Sequence, residues 1–457
     1  MTLAPWQRDI LDTGELYRVG GAVRDRLLGI ATIADSDFLV RGIPAAGVES
    51  ILARHGTWSR VGKAFGVYKF VPHGASVAVD IVFPRREKST GVGHRDFDIQ
   101  FDPTLPVADD LARRDFTINA IAERLPDGLI VDPFHGSIDI ERRVLRMIFP
   151  RAFDEDPLRI LRGARFAARF GLAIDGATRS AMTAACGLLA TVSAERLQDE
   201  FTKTLTQCER PSRALDLLHE VGSLAAVLPE LDRCAGVEQN EYHPDDVYWH
   251  TLKTCDAAPR ERLLVRWAAL LHDIGKVDTR QTIDDGARAR VVFYGHEIVG
   301  AEAAEAVLSR LRYSNEFVSS CRHLVREHMY RYESTWKDST VRRFMARIGD
   351  VALDDLMALR EADCRSRDLE SEIEQLSELR ARIQGERSAR ATVSVANLAV
   401  DGADVMRETG LEAGPGVGAA LDRLLERVID DPALNTRAAL IALLRSEGNT
   451  EAGDGGN

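Results

Sequence analysis

The feature that most constrains the fold is a glycine turn between an apolar segment and a helix, with paired acids soon after it. Residues 16–40 read LYRVGGAVRDRLLGIATIADSDFLV, which places Gly20 and Gly21 before the helix and Asp35 and Asp37 before a strand. Alternate residues of a strand share a face, so the two acids project side by side. Adjacent carboxylates repel each other, and a divalent cation between them relieves the repulsion. Glycines ahead of a helix let a polyphosphate approach the backbone. The segment therefore predicts a metal and nucleotide site.

A third acid follows in the segment VAVDIVFPRREK, where Asp80 falls in a predicted strand. Asp80 either joins the two earlier acids or is a solvated strand residue, and the spacing leaves both interpretations open. The basic residues Arg85, Arg86 and Lys88 then lead into the glycine-rich segment STGVGHRDFD. A basic loop beside a metal site suits a triphosphate or RNA, and a surface hairpin is the alternative.

The pattern of apolar residues divides the chain into a mixed part and a helical part. Short apolar strands alternate with helices from residue 16 to about 150, which indicates an α/β or α+β fold. Strands are predicted near 16–19, 37–40, 67–71 and 77–83, and helices over 47–55 and about 111–123. From about residue 151 the pattern is helical, with a turn-rich linker at 241–246 and a polar tail that is typical of disorder.

Composition indicates more about the cellular environment of the protein than about its fold. No apolar run approaches the ~20 residues of a membrane helix, and the N-terminus has no signal-peptide pattern. The six cysteines are scattered singly, which favours reduced thiols in a cytoplasmic protein without membrane contact. The net charge of −12 argues against diffuse binding to nucleic acid, although it leaves room for a local basic surface.

The segment RRDFTINAIAE combines charged residues with a core-forming pattern. Arg114 and Asp115 precede the apolar residues, and Asn119 follows Asp115 by four positions, about one helical turn. A polar cluster for a ligand and a capped helix with solvated charges are both compatible with this spacing.

The segment EDPLRILRGARFAARFG predicts one amphipathic helix with a basic stripe. Arg162, Arg165 and Arg169 are spaced three and four residues apart, so they share a helix face. Asp156 and Arg159 lie about one turn apart and offer an acceptor and a donor, which reading the edge of a base requires. A surface salt bridge is the alternative interpretation.

The order of these motifs resembles a known enzyme family. GGAVRD, DSD, RRDFTINAIA, DPFHGSIDIERRVLR and EDPLRILRGARFAARFG follow one another as in the bacterial class II tRNA nucleotidyltransferase and poly(A) polymerase family, over about residues 16–230. The resemblance implies an α+β, polymerase-β-like nucleotidyltransferase head followed by an all-α neck, body and tail. It further implies template-independent addition of CCA to the 3′ end of tRNA, with CTP and ATP as substrates and pyrophosphate as product.

The same resemblance implies roles for individual residues. Asp35 and Asp37 would hold two Mg²⁺ ions, with Asp80 as a possible further catalytic acid. Phosphates, ribose and base would be bound by a set of nucleotide-binding residues: Gly20, Gly21, Arg24, Arg114, Asp115, Asn119, Asp156, Arg159 and Arg162. Arg165 and Arg169 would face the RNA.

A second group of candidate ligands lies in the helical half. LLHDIGK places His272 and Asp273 together on an apolar helix, which buries a carboxylate that needs a cation or a donor. Nitrogen and oxygen ligands of this mixture suit a transition metal or Mg²⁺. The series H…HD…D resembles the HD phosphohydrolase superfamily and implies a divalent metal held by His250, His272, Asp273, His296, His328 and Asp363. Its implied activity is hydrolysis of 2′,3′-cyclic or 2′ phosphates.

Four regions follow from these patterns: a nucleotidyltransferase head at 1–150, a helical neck at 151–235, an HD domain at 240–370 and a body and tail at 371–457. Poly(A) polymerase activity, or addition of only CC or A, is an alternative on the same scaffold. A phosphohydrolase with an RNA-binding head is a second alternative, which the intact DSD, RRD and EDPLR motifs disfavour. A non-catalytic RNA chaperone would have no use for the paired acids.

Overall fold

The two apolar segments that flank the glycine turn pair with each other inside a seven-stranded mixed sheet. The strands of this part of the chain are β1 (Glu15–Val19), β2 (Asp37–Arg41), β3 (Gly56–Val61), β4 (Val67–Pro72), β5 (Val79–Val82), β6 (Arg85–Ser89), β7 (Phe97–Phe101), β8 (Ala122–Leu125) and β9 (Ile130–Val131). The sheet order is β3-β4-β5-β2-β1-β8-β9, and β6 pairs with β7 separately. β2 and β5 run parallel, and the other neighbours in the sheet run antiparallel.

Apolar side chains cover both faces of this sheet. Successive residues fall into different clusters: Leu16 and Phe38 pack with Trp6 and Tyr68, whereas Tyr17 packs in the cluster on the opposite face. This division follows from the alternation of side chains along a strand. Both faces are therefore buried, and polar chemistry is left to the strand ends and the turns between them.

Helices lie between the strands of the sheet in the sequence, and they predominate after its last strand. They are α1 (Pro5–Leu11), α2 (Gly21–Leu27), α3 (Ala45–His55), α4 (Val107–Ala112), α5 (Gly136–Glu141), α6 (Ala152–Glu155), α7 (Leu158–Phe170), α8 (Gly176–Ala185), α9 (Ala194–Gln207), α10 (Ser212–Glu220), α11 (Leu224–Val227) and α12 (Pro229–Asp232). Two short strands, β10 (Val144–Leu145) and β11 (Ala173–Ile174), pair in parallel beside them.

The prediction of a helix over residues 111–123 is wrong. α4 ends at Ala112, a single 3-10 turn covers Thr117–Asn119, and β8 begins at Ala122. The apolar residues Phe116, Ile118 and Ile121 are buried as expected, so their spacing was interpreted with the wrong period.

Among the residues that the structure describes, the second half of the chain is helical apart from one hairpin and connecting turns. The helices are α13 (Val247–Ala257), α14 (Leu263–Leu271), α15 (Lys276–Thr279), α16 (His296–Arg310), α17 (Asn315–Glu327), α18 (Asp338–Ile348), α19 (Asp350–Ser366), α20 (Glu370–Ser388), α21 (Gly402–Thr409), α22 (Pro415–Asp430) and α23 (Arg437–Glu451). The hairpin consists of β12 (Gln281–Asp284) and β13 (Ala289–Val292). The predicted fold class, an α+β head followed by helical regions, is confirmed.

The computed structural model describes residues 3–30, 37–61, 66–89, 97–239, 244–284, 289–388 and 394–451. The chain forms two units, Met1–Arg233 with Arg310–Arg312, and Cys234–Ser309 with Tyr313–Asn457. Among the described helices, none has both the length and the apolar character that crossing a membrane requires.

Candidate functional site

The acids of the first candidate site lie at one end of the sheet. Asp37 is the first residue of β2, and its partner across the parallel pairing is Asp80 of β5. Paired residues of neighbouring strands share a face, so both carboxylates belong to the same side of the sheet. Asp80 Oδ1 accepts a hydrogen bond from Lys69 Nζ at 2.8 Å. Asp35, the other predicted acid, lies outside the described residues.

The glycine turn brings a carboxylate and a guanidinium close to the backbone. Gly20 has a φ of +75°, which favours glycine. A Cβ atom at Gly20 would lie 3.1 Å from Asp37 Oδ2 and 3.5 Å from an Arg114 Nη atom, and one at Gly21 would lie 3.3 Å from an Arg24 Nη atom. The turn, the acid and two predicted phosphate or ribose ligands therefore converge at one place.

A buried chain of hydrogen bonds joins the predicted nucleotide-binding residues. Arg24 Nη1 donates to Asn119 Oδ1 at 2.7 Å, and Asn119 Nδ2 donates to Asp115 Oδ1 at 2.8 Å. Arg162 Nε donates to the other Asp115 oxygen at 2.8 Å. These contacts link α2, the 3-10 turn and α7, so Asp115 and Asn119 belong to a buried polar cluster rather than to a capped helix with solvated charges.

Asp115 is the negatively charged residue in the middle of this series of hydrogen bonds. Burial by itself would raise its pKa, but the charge of Arg162 and the hydrogen bond from Asn119 outweigh burial and lower the pKa to about 2. Asp115 is therefore an anion at neutral pH and fixes the two donors around it.

Arg114 is held by a residue that the sequence interpretation did not single out. Asp110 is completely buried and accepts hydrogen bonds from Arg113 Nη2 at 2.7 Å and Arg114 Nη2 at 3.3 Å. Arg114 Nη1 also donates to the carbonyl oxygen of Asn119 at 3.2 Å. A carboxylate three and four residues before two arginines on a short helix was the available signal.

The predicted base-reading pair is split between two sets of partners. Asp156 accepts from Arg196 Nη2 at 2.8 and 3.0 Å, whereas Arg159 Nη2 donates to the carbonyl oxygen of Arg113 at 2.8 Å. The surface salt bridge that spacing allowed between Asp156 and Arg159 is thus replaced by a longer-range one. Arg196 lies on α9, 40 residues away, and no local pattern identifies it.

The predicted basic stripe of α7 is not a surface stripe. The side chain of Arg165 is 5% exposed and its Nε donates to Glu200 Oε2 at 2.8 Å. Arg169 Nη1 donates to Gln207 Oε1 at 2.9 Å. The helical spacing of three and four residues is real, but α9 packs against this face, so the prediction that Arg165 faces RNA directly requires correction.

The six predicted ligands of the second candidate site converge from separate elements of the second unit. All are at most 6% exposed. They lie on or at the ends of α13, α14, α16, α17 and α19: His250, His272 with Asp273, His296, His328 and Asp363. Two groups have ligand atoms that all lie within 4.8 Å of one another, and Asp273 belongs to both.

The hydrogen bonds of the histidines leave the same ring nitrogen of each directed inward. The Nδ1 atoms of His272, His296 and His328 lie 2.8, 2.8 and 2.6 Å from backbone carbonyl oxygens three residues earlier. Such carbonyls require a donor, so Nδ1 carries the proton and Nε2 keeps a lone pair for a metal. His296 Nε2 is buried without a hydrogen-bond partner among the described residues. Burial lowers the pKa of His328 to about 3, which keeps that ring neutral and able to bind a metal.

Asp273 presents one oxygen to each group of histidines. Its Oδ2 lies 3.4 Å from His250 Nε2 and 3.2 Å from His272 Nε2, while its Oδ1 lies 3.3 Å from His296 Nε2. Lys276 Nζ donates to the same Oδ2 at 2.7 Å. Despite complete burial, the neighbouring cations hold the pKa of Asp273 far below its usual value. The donor set therefore fits a divalent metal centre, which these residues would hold.

Asp363 closes the cluster on the side of α19. Its Oδ1 lies 3.3 Å from His250 Nε2, and its Oδ2 accepts from Arg360 Nη1 at 2.6 Å and Arg367 Nη2 at 2.8 Å. The cluster opens into a cavity of about 740 Å³ that these arginines also line. A cavity with buried ligands and two guanidinium groups can accept a phosphate ester.

Family models match three successive parts of the chain. The model described as the poly A polymerase head domain matches residues 16–146, and the probable RNA and SrmB-binding site of polymerase A matches residues 171–234. An HD domain matches residues 240–375. These matches confirm the resemblance on which the site residues were assigned.

Curated relatives and solved structures agree with the family models. A multifunctional CCA protein from Aromatoleum aromaticum is 40% identical over 68% of this chain and 74% of that protein. One from Xanthomonas campestris pv. campestris is 36% identical over 89% of this chain and 96% of that protein. The crystal structure of the Bacillus stearothermophilus CCA-adding enzyme in complex with CTP is similar with a TM-score of 0.71 and 26% identity, covering 99% of this chain and 100% of that one.

Proposed function

Because the chain belongs to the family of multifunctional CCA proteins, we propose that it adds C, C and A to the 3′ end of tRNA from CTP and ATP. The observation that carries the proposal is the convergence of Asp37, Gly20 and Arg114 at the end of the sheet, beside the buried cluster around Asp115. This arrangement provides an acid for a metal, an open turn for phosphates and fixed donors for a nucleoside.

The reaction is a nucleotidyl transfer. The 3′-hydroxyl oxygen of the RNA attacks the α-phosphorus of the nucleotide, the bond to the pyrophosphate oxygen breaks, and the hydroxyl proton leaves to solvent. Asp35 and Asp37, with Asp80 in register beside Asp37, would hold Mg²⁺, which would activate the hydroxyl and neutralise the leaving group. Gly20 and Gly21 admit the phosphates to the backbone, and Arg24 and the residues that it contacts orient the nucleotide.

Base selection is assigned to protein side chains. Asp156 and Arg159 present an acceptor and a donor to the incoming cytosine or adenine, and Arg196 supports Asp156. Cytosine and adenine each present an amino donor beside a ring-nitrogen acceptor, so one carboxylate and one guanidinium can pair with either base and reject uracil and guanine without a template. We assign these tasks to a head at 1–150 and a neck at 151–235, with an HD domain at 240–370 and a tRNA-binding body and tail at 371–457.

The test uses purified protein, Mg²⁺ and tRNA transcripts that end before CCA, after C and after CC. Each transcript is incubated with a single labelled nucleotide. We expect CTP incorporation on the first two transcripts and one ATP on the third. Long A tracts would identify a poly(A) polymerase, and incorporation of only CTP or only ATP on every transcript would identify a partial CCA enzyme.

The metal cluster supports a second candidate activity, hydrolysis of a 2′,3′-cyclic or 2′ phosphate. In that reaction a water oxygen bonds to phosphorus, the bond to a ribose oxygen breaks, and that oxygen takes a proton. A divalent ion at the cluster supplies the activated water. Arg360 and Arg367, which already donate to Asp363, lie along the cavity where the phosphate would enter.

This second activity is tested with 2′,3′-cyclic AMP and with adenosine 2′-monophosphate. The protein is assayed with added Mn²⁺, Ni²⁺, Co²⁺ or Mg²⁺ and after treatment with a chelator. Wild type that hydrolyses neither compound with any of the metals would contradict the proposal. The variant His272→Ala with Asp273→Ala should lose hydrolysis and keep CTP incorporation.

A further inference from the structure

The cavity beside the metal cluster has an outer region that the cluster does not explain. Its volume of about 740 Å³ lies in the range of pockets for drug-sized ligands and exceeds what a phosphate group needs. The outer lining includes Tyr294 and Met329, which are 67% and 61% exposed. Large apolar side chains that remain this exposed at the mouth of a polar cavity provide a surface for an aromatic ligand.

Tyr294 and Met329 are close in sequence to two histidines of the cluster. Tyr294 precedes His296 by two residues, and Met329 follows His328 directly. The bond from the His296 ring to the Phe293 carbonyl closes the segment that carries Tyr294, and Met329 lies one residue beyond the segment that the His328 ring closes with Val325. The apolar surface and the metal ligands are thus held at a set distance, as a ligand with a polar and an aromatic end requires.

Polar groups complete the outer lining. Ser371 and Gln375 are exposed on α20 and line the same cavity. The amide of Gln375 offers both a donor and an acceptor, which matches the edge of a nucleobase. Tyr330 also lines the cavity, and its buried hydroxyl has no hydrogen-bond partner among the described residues.

We infer that this outer region is a nucleobase subsite, in which the base of a nucleoside phosphate lies against Tyr294 and Met329 while its phosphate is at the metal cluster. This inference rests on the proposed phosphohydrolase activity. It narrows the substrates to nucleotides, because simple phosphate esters have no base to bind the subsite and should be poorer substrates. The aromatic ring of Tyr294 supplies the stacking surface and the flexible thioether of Met329 fills the remaining contact.

The experiment measures binding, so that it does not depend on turnover. Full-length protein with Mn²⁺ is titrated with adenosine 2′-monophosphate and with glycerol 2-phosphate, which lacks a base. The variants are Tyr294→Ala and Tyr294→Phe, with Val351→Ala as the control because Val351 is 96% exposed and does not line the cavity. Any nucleotide bound at the first site contributes equally to all variants.

We expect Tyr294→Ala to weaken binding of adenosine 2′-monophosphate about tenfold, because the variant lacks the ring on which the base stacks. Tyr294→Phe and Val351→Ala should bind like wild type, and glycerol 2-phosphate should bind equally to all four proteins. Unchanged nucleotide binding in Tyr294→Ala, or an equal loss for glycerol 2-phosphate, would overturn the subsite. Absence of hydrolysis in wild type would instead contradict only the proposed activity.

Discussion

Asp37 and Asp80 are register partners on adjacent parallel strands, and Lys69 occupies the next position in the same row. Two carboxylates on one face of a sheet are followed by a cation that already neutralises one of them, through the 2.8 Å contact between Lys69 Nζ and Asp80 Oδ1. The row therefore assigns different environments to the two acids. Asp37, beside the glycine turn, is the acid nearer to the place where phosphates would bind.

The substitution Asp37→Ala should abolish nucleotide addition. Loss of a metal-binding carboxylate removes several kcal/mol of transition-state stabilisation, so we expect kcat for CTP incorporation to fall by more than about 10³-fold. Asp127→Ala is the control, because Asp127 is an exposed turn residue that pairs with Arg124. Hydrolysis of 2′,3′-cyclic AMP should persist in Asp37→Ala. Near-normal CTP incorporation in that variant would show that the metal site is assigned incorrectly.

The pKa of Asp115 predicts how its contribution to stability depends on pH. Its pKa is lowered from 3.8 to about 2 in the folded protein, so the contribution is fully present above pH 4 and is lost as the pH falls toward 2. The shift corresponds to about 2 kcal/mol. Urea unfolding of wild type and Asp115→Asn should differ by a constant amount between pH 5 and 8, and by less below pH 4. A difference that grows on acidification would contradict this assignment.

Arg196 should affect the choice between CTP and ATP. Its guanidinium holds both oxygens of Asp156, so Arg196→Ala leaves that carboxylate free to turn away from the base. We expect kcat/KM for correct nucleotides to fall about tenfold, which corresponds to about 1.4 kcal/mol of transition-state stabilisation. We also expect misincorporation to rise. Single-nucleotide incorporation on the CC-ending transcript measures both effects. Arg179→Ala, on an exposed pair with Glu220, is the control, and equal behaviour of the two variants would exclude the role.

Glu200 should be important for stability. Glu200→Gln removes the buried partner of Arg165, whose guanidinium is 5% exposed, and breaking a buried pair typically costs about 3 kcal/mol or more. The free energy of unfolding in urea measures the loss, and Glu195→Gln in the exposed first turn of the same helix is the control. A loss below about 1 kcal/mol would mean that solvent reaches Arg165 more readily than its burial indicates.

Divalent ions should stabilise the second unit through the histidine cluster. An ion at about one hundred times its Kd contributes about 2.7 kcal/mol to the folded state, so Tm should rise on addition of Mn²⁺ or Ni²⁺ and fall with a chelator. His272→Ala should remove most of this response. His323→Ala should keep it, because His323 Nε2 bonds to the carbonyl oxygen of Ile348 outside the cluster. An equal response in both variants would place the ion elsewhere.

Local patterns predicted the local structure well. The strands at Glu15–Val19 and Asp37–Arg41 and the helix at Ala45–His55 lie where apolar alternation and turn residues indicated. The region 111–123 was misassigned because a 3-10 turn and a short strand bury residues at a spacing that also fits a helix. Period alone does not distinguish such short segments.

The spacing of residues in the sequence did not predict contacts between distant segments. Nothing in the sequence near Asp156 indicates that Arg196 will hold it, and helical periodicity could not tell that α9 covers Arg165. The histidine cluster was an exception. A buried His-Asp pair needs a cation or a donor, and the resemblance to the HD phosphohydrolase superfamily supplied the other four predicted ligands.

The position of Arg24 has a consequence for the evolution of this site. Arg24 lies on the helix that follows the glycine turn, yet its guanidinium lies 5.1 Å from the ring centroid of Phe166 and 4.6 Å from that of Phe170, on α7. α2 and α7, the helix that also carries Arg159, thus share one cation and two rings. Among relatives, substitutions at these three positions should therefore co-vary, even though Arg24 lies more than a hundred residues before Phe166 and Phe170 in the chain.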